Sequence, residues 1–157
     1  MLRTALRERF EFRCGFCGVH EDDVGSLLTV DHFQPKSQGG ADDIENLVYC
    51  CHACNEYKAD LWNPTGEHRI LHPLLDSLPE HLEESEEGVL TAHTETGRFY
   101  IARLRLNRPQ LIASRTKRRR ERDLEIRYRE LQDRYRQTLS NLDALALQIR
   151  RHGRFEE

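Results

Sequence analysis

No run of about 20 apolar residues occurs anywhere in the chain, so no helix able to cross a bilayer is expected. The first ten residues, Met1 to Phe10, mix apolar and charged side chains and lack the apolar core of a secretory signal. A cytoplasmic location is expected, where thiols stay reduced. Methionine and tryptophan occur once each, and hydrophobic residues make up 38% against 32% charged, which leaves little material for a large core. The 157 residues suffice for one ordinary domain, or for a small domain and an extended element. A small domain of this composition needs a staple besides apolar burial. Internal repeats and low-complexity segments are absent as well.

Basic residues are scarce in the first 97 positions, where 7 Lys and Arg face 19 Asp and Glu, a balance of −12. Residues 98–157 reverse this, with 17 against 8 and a balance of +9. The net charge of −3 conceals the contrast. The acidic stretch 80–87 repels a polyanion, whereas Lys117, Arg118, Arg119 and Arg120 attract one. Two readings of that basic run stay open: a nucleic-acid contact and a solvated helix face.

Five cysteines are present, and four form two C-x-x-C pairs, Cys14/Cys17 and Cys51/Cys54. Each pair sets two sulfurs on a tight knuckle, and two knuckles supply the four thiolates of a closed structural zinc site. Such a site holds a fold together and does no chemistry. Cys50, next to Cys51, is expected to point away as a core thiol.

The expected organisation has four zones. Residues 1–12 read as a short amphipathic helix with Leu2, Leu6 and Phe10 on one face. Within 13–62, Leu27 to Val30 reads as a strand running into Asp31 and His32. Pro35, Gly39 and Gly40 force a loop, and Leu47 to Tyr49 gives a second strand. A helix follows from near Cys51 to about Leu61, ended by Asn63-Pro64. In 67–106, Leu74, Leu75 and Leu78 suggest a short helix broken by Pro79, and 88–102 suggest a hairpin turning at Glu95-Thr96-Gly97. From Asn107, as cap, and Pro109, one helix is expected to run without Gly or Pro to Gly153, about 65 Å long. The fold class is therefore α+β, with one domain over 1–106 (core 13–62, extension 67–106) and a basic, coiled-coil-like helix over 107–157.

Asp31, His32, Asn46 and Asn55 fall among these elements. Hydrolysis of a phosphodiester needs an activated water and a counter-charge. His32 at a strand end suits the general base. Asp31, on the opposite side of the strand, offers a hard oxygen to Mg²⁺ or Mn²⁺, and Asn55 a second ligand through its amide. Lys58, one turn beyond Asn55, is placed to touch a phosphate. His72, Asp76 and His81 are candidates for a second metal site, against which Pro73 and Pro79 speak; a structural or DNA-positioning role is preferred. Trp62 is expected to plug the core.

The stretch from Asp31 to Gly40, with that from Asn46 to Lys58, resembles the HNH endonuclease motif of the zinc-knuckle type over about residues 14–60. More loosely, His72-Pro73, Asp76, His81, Thr96-Gly97-Arg98 and Leu104 to Pro109 resemble the tail of a bacterial HNH subgroup. The resemblance implies a ββα-metal fold of two strands and a helix gripping one divalent cation. It implies too that Asn46 braces the loop that orients His32. The third signature position, often His in the family, is Asn55 here. The function expected is metal-dependent DNA cleavage, either freestanding or as an effector in a bacterial defence or mobile-element system. The alternative is a silent zinc-knuckle adaptor that binds DNA. Positions 124, 128, 131, 135, 138, 142, 145 and 149 carry a heptad seam, polar only at Thr138, which implies a second copy or a helical partner.

Overall fold

The computed structural model describes residues 2–152. The chain divides into two compact units, 1–116 and 117–157, so the first extends past residue 106. Mixed helices and small antiparallel sheets make it α+β. None of the described helices is long and apolar enough to cross a membrane.

Helix α1 (Leu2–Arg9) buries Leu6, and Phe10 just beyond it joins the core. Leu2, expected on the same face, is 48% exposed. A short helix α2 (Glu21–Val24) follows the first knuckle. Strands β1 (Thr29–His32) and β2 (Leu47–Cys50) pair antiparallel, with Asp31 opposite Val48 and His32 opposite Leu47. All four residues of β2 are buried, so this strand is the spine of the unit. Tyr49 on it donates to Glu21 Oε2 at 2.7 Å and accepts from Leu28 N at 2.9 Å. Arg7 completes the group by ion-pairing with Glu21, and these bonds hold the Glu21 carboxyl down at about 2. One buried carboxylate thus ties α1, α2 and β2 together with every acceptor used.

Helix α3 (His52–Lys58) starts directly after β2. It stops at Ala59, whose φ of 49° breaks the helical run and whose N–H returns to Asn55 O. The helix is therefore shorter than the expected span to Leu61.

The 88–102 hairpin is not formed. Strand β3 (Leu82–Glu84) pairs with β4 (Leu90–Ala92) instead, and Glu95–Arg103 is helix α5. Thr94 caps α5 by accepting from Gly97 N. Gly97 is there for space, since a Cβ would lie 2.3 Å from His81 O. Leu78–His81 form helix α4, but Pro79 sits in its first turn, where a missing N–H costs nothing. The expected helix through Leu74 and Leu75 is absent. Tyr100 of α5 is fully buried, and its hydroxyl donates to Phe16 O at 2.9 Å.

Helix α6 (Pro109–His152) is continuous over 44 residues. Asn107 is not its cap. Its side chain accepts from Leu90 N and donates to Leu90 O, both at 2.8 Å, extending β4 like a further strand residue. Leu111 and Arg115 in the first turns of α6 are buried in the first unit.

Candidate metal centre and active site

Cys14, Cys17, Cys51 and Cys54 converge, with all four sulfurs within 4.8 Å of one another. Cys51 sits at the start of α3 and Cys54 one turn later, while Cys14 and Cys17 come from the knuckle before α2. The Cys17 and Cys51 sulfurs are 3.8 Å apart. A tetrahedron of metal–sulfur bonds of about 2.3 Å has edges of about 3.8 Å, so the donors fit zinc. This is the one cluster of three or more His, Cys, Asp or Glu ligands among the described residues. Cys50 is fully buried and outside the cluster; burial pushes its thiol up.

Arg108 adds a residue that its position in the sequence does not suggest. Its Nη2 lies 3.6 Å from Cys54 Sγ and 3.7 Å from Cys51 Sγ, and the guanidinium stands 5.6 Å from the centroid of the Tyr57 ring. A metal held by four thiolates carries net negative charge, and Arg108 offsets part of it. Arg108→Gln should weaken metal retention roughly 10- to 100-fold, with Arg108→Lys intermediate. Competition with a chromogenic chelator measures it; unchanged release in Arg108→Gln would remove this role.

Side chains alternate along β1, and the alternation separates the two halves of the second site. Asp31 faces α3. Its Oδ2 is 2.9 Å from Lys58 Nζ, which also donates to His32 O at 2.7 Å. Asn55 meets the same carboxylate: with its amide nitrogen turned that way it donates to Oδ1 and Oδ2 at 3.1 Å each. The reverse orientation sets oxygen against oxygen, which is favourable only with a cation between them. Two hard oxygen donors suit Mg²⁺, which keeps several waters and completes its shell with substrate phosphate.

Lys58 is a correction. It is fully buried, so it does not reach a phosphate; its ammonium is the counter-charge of Asp31. An unpaired carboxylate in that position would be costly, and the ion pair with its extra carbonyl contact removes the cost.

His32 faces the other way, with Nε2 2.7 Å from Asp42 Oδ1. Lys36 grips the same carboxylate at 2.8 Å. Lys36 and His32 together hold Asp42 below the usual carboxylate range. With Nε2–H donating to Asp42, Nδ1 carries the lone pair. The one sequence signal for Asp42 is a carboxylate ten residues past His32, in the loop that follows the strand.

The loop between the strands is fixed by Asn46, which accepts from Gln34 N at 2.8 Å and donates to Gln34 O and Ala41 O at 3.1 and 2.9 Å. Phe33 N also bonds Asn46 O at 2.7 Å. Gly40 is tied to the same brace, because a Cβ on it would lie 1.8 Å from Gln34 O and 2.9 Å from Asn46 Nδ2. Gly40→Ala should cost about 1–3 kcal/mol in lost loop hydrogen bonds, and roughly 100-fold in any reaction that uses His32. Metal content should stay unchanged. Denaturant melts and elemental analysis test this; wild-type stability would contradict the clash.

Residues 14–60 match the family model of the HNH endonucleases. That segment is similar to the HNH endonucleases. No curated protein and no solved structure matches the chain. The HNH match ends at residue 60, and the remaining expected site residues lie beyond it.

Around the HNH segment, His72, Asp76 and His81 do not form a metal site. Asp76 is held in a two-bond pair with Arg69 at 2.7 and 2.8 Å and accepts from His72 N. His72 Nε2 contacts Glu45 O at 3.3 Å, and His81 Nδ1 is hydrogen-bonded to Thr94. Trp62 is half-buried and outside the core; it lines an open groove of about 540 Å³ with Phe33, Asn46 and His72. Lys117, Arg118, Arg119 and Arg120 lie on α6 in the second unit, with Lys117 Nζ 3.9 Å from the Glu121 carboxylate.

Proposed function

We propose that this protein is a metal-dependent endonuclease acting on DNA, with zinc as its structural ion and Mg²⁺ or Mn²⁺ as its catalytic ion. The observation that carries the reading is the arrangement at the end of β1. Asp31 and Asn55 meet on one side, and His32 stands on the other with its ring held by Asp42. A divalent cation, when bound, offsets the charge that develops on the phosphate and on the leaving oxygen.

The chain's own groups do the rest. Asp31 and Asn55 are the residues that would hold the cation, Asn55 through its amide oxygen. His32 takes a proton from the attacking water at Nδ1, and Asp42 stabilises the imidazolium that results. Asn46 keeps the loop, and so the imidazole, in place. Lys58 balances Asp31 when the cation is away. Lys117, Arg118, Arg119 and Arg120 contact the DNA backbone, a sequence-independent and salt-sensitive term. The exposed seam of α6 is the protein's contact with another helix.

Plasmid nicking in Mg²⁺, Mn²⁺ and EDTA is the direct test. Cleavage with either ion, abolished by EDTA, is the expected result. Binding without cleavage under every metal condition would replace the nuclease with an adaptor.

A further inference from the structure

Every side chain from Glu121 to Arg150 is exposed. Along this stretch the heptad seam runs just under four heptads, the length at which such a pattern specifies a partner helix. The seam side chains are 52–65% exposed wherever they are large and apolar. Thr138, the polar position, satisfies its hydroxyl on Arg134 O at 2.9 Å and so leaves its methyl for packing.

The order of residues along the seam distinguishes the possible occupants. Set against itself antiparallel, the seam matches without a gap: Leu124 meets Ile149, Tyr128 meets Leu145, Leu131 meets Leu142, and Tyr135 meets Thr138. The two-fold repeats each layer, so both tyrosines face smaller side chains, as a well-filled seam requires. The flanking positions also agree. Arg127 lies opposite Gln148, Arg134 opposite Asn141 and Glu125 opposite Ala146, so no like charges meet. Glu125 is moreover neutralised in its own helix by Arg129 at 2.6 Å. A parallel pair would stack each tyrosine on its own copy. It would also bring the Lys117 to Arg120 runs of the two chains side by side, which costs repulsion.

We propose that residues 124–149 pair antiparallel with the same stretch of a second copy of this chain, with Leu131 of one against Leu142 of the other. This rests on the reading of α6 as an association helix. It does not depend on the nuclease assignment.

The experiment is sedimentation equilibrium of the full chain at micromolar concentration, with four proteins. Wild type should be a dimer of the 18.5 kDa chain. Leu131→Glu alone and Leu142→Lys alone should each lose the dimer. The double variant should regain it, because each new carboxylate then faces a new ammonium across the antiparallel seam. In a parallel pair each new charge would face its own kind and the double variant would stay monomeric. Far-UV circular dichroism of each variant checks that the helix persists. A dimeric wild type with a monomeric double variant overturns the antiparallel register and leaves association standing. A monomeric wild type overturns both.

Discussion

His32→Ala should reduce DNA cleavage by roughly 100- to 10,000-fold, the usual contribution of a positioned general base. Its fold and bound zinc should be unaffected, because the side chain is half-exposed and its polar contact is with a surface carboxylate, Asp42. Single-turnover cleavage at saturating Mg²⁺ measures the effect, with melting and elemental analysis as controls. Asp31→Ala and Asn55→Ala should instead shift the Mg²⁺ dependence, since they alter the donors and leave the base. Asn55→His, the commoner family residue, should be partly tolerated. Cleavage by His32→Ala at the wild-type rate would move the base elsewhere.

Stripping the four-thiolate site should have the largest effect on stability. A strong chelator, or Cys14→Ser, is expected to unfold residues 2–116 cooperatively. The binding energy of a structural zinc, about 10–16 kcal/mol, is in such small domains also folding energy, and is as large as the total stability of an ordinary domain, about 5–15 kcal/mol. Purified protein should contain one zinc per chain. Cys50→Ser should lower stability by about 1–3 kcal/mol, for a polar group placed in the core, with zinc content unchanged. Protein free of zinc, or a Cys14→Ser variant that melts as wild type does, would refute the assignment.

Asp31 and His32 could be picked out at a strand end and Asn55 in the first turn after a knuckle, because these places follow from local geometry. The four cysteines are legible for the same reason. The role of Asn46 as loop brace came only from the resemblance to the HNH motif. Asp42 and Lys58 are different, because their roles depend on what the chain folds against. Asp42 reaches His32 only once Asn46 has drawn the loop closed. Lys58 shares the Asn55 face of α3, as its spacing requires, but whether that face met water or protein was not written in the helix. The misread hairpin has a similar origin. Gly97 looked like a turn residue, and only the packed fold shows that the His81 backbone needs the space. Asn107 looked like a cap, and its amide is taken by Leu90. Arg108 on the thiolates joins residues more than fifty positions apart, beyond the reach of any local pattern.

Cys54 and Asn55 are consecutive residues on the same turn of α3. An alkylating or oxidising reagent that captured Cys54 would strain the very turn that aims the Asn55 amide at Asp31. Thiol-directed electrophiles are therefore expected to silence the proposed cleavage without reacting at Asp31, His32 or Asn55, and excess zinc should protect the protein against them.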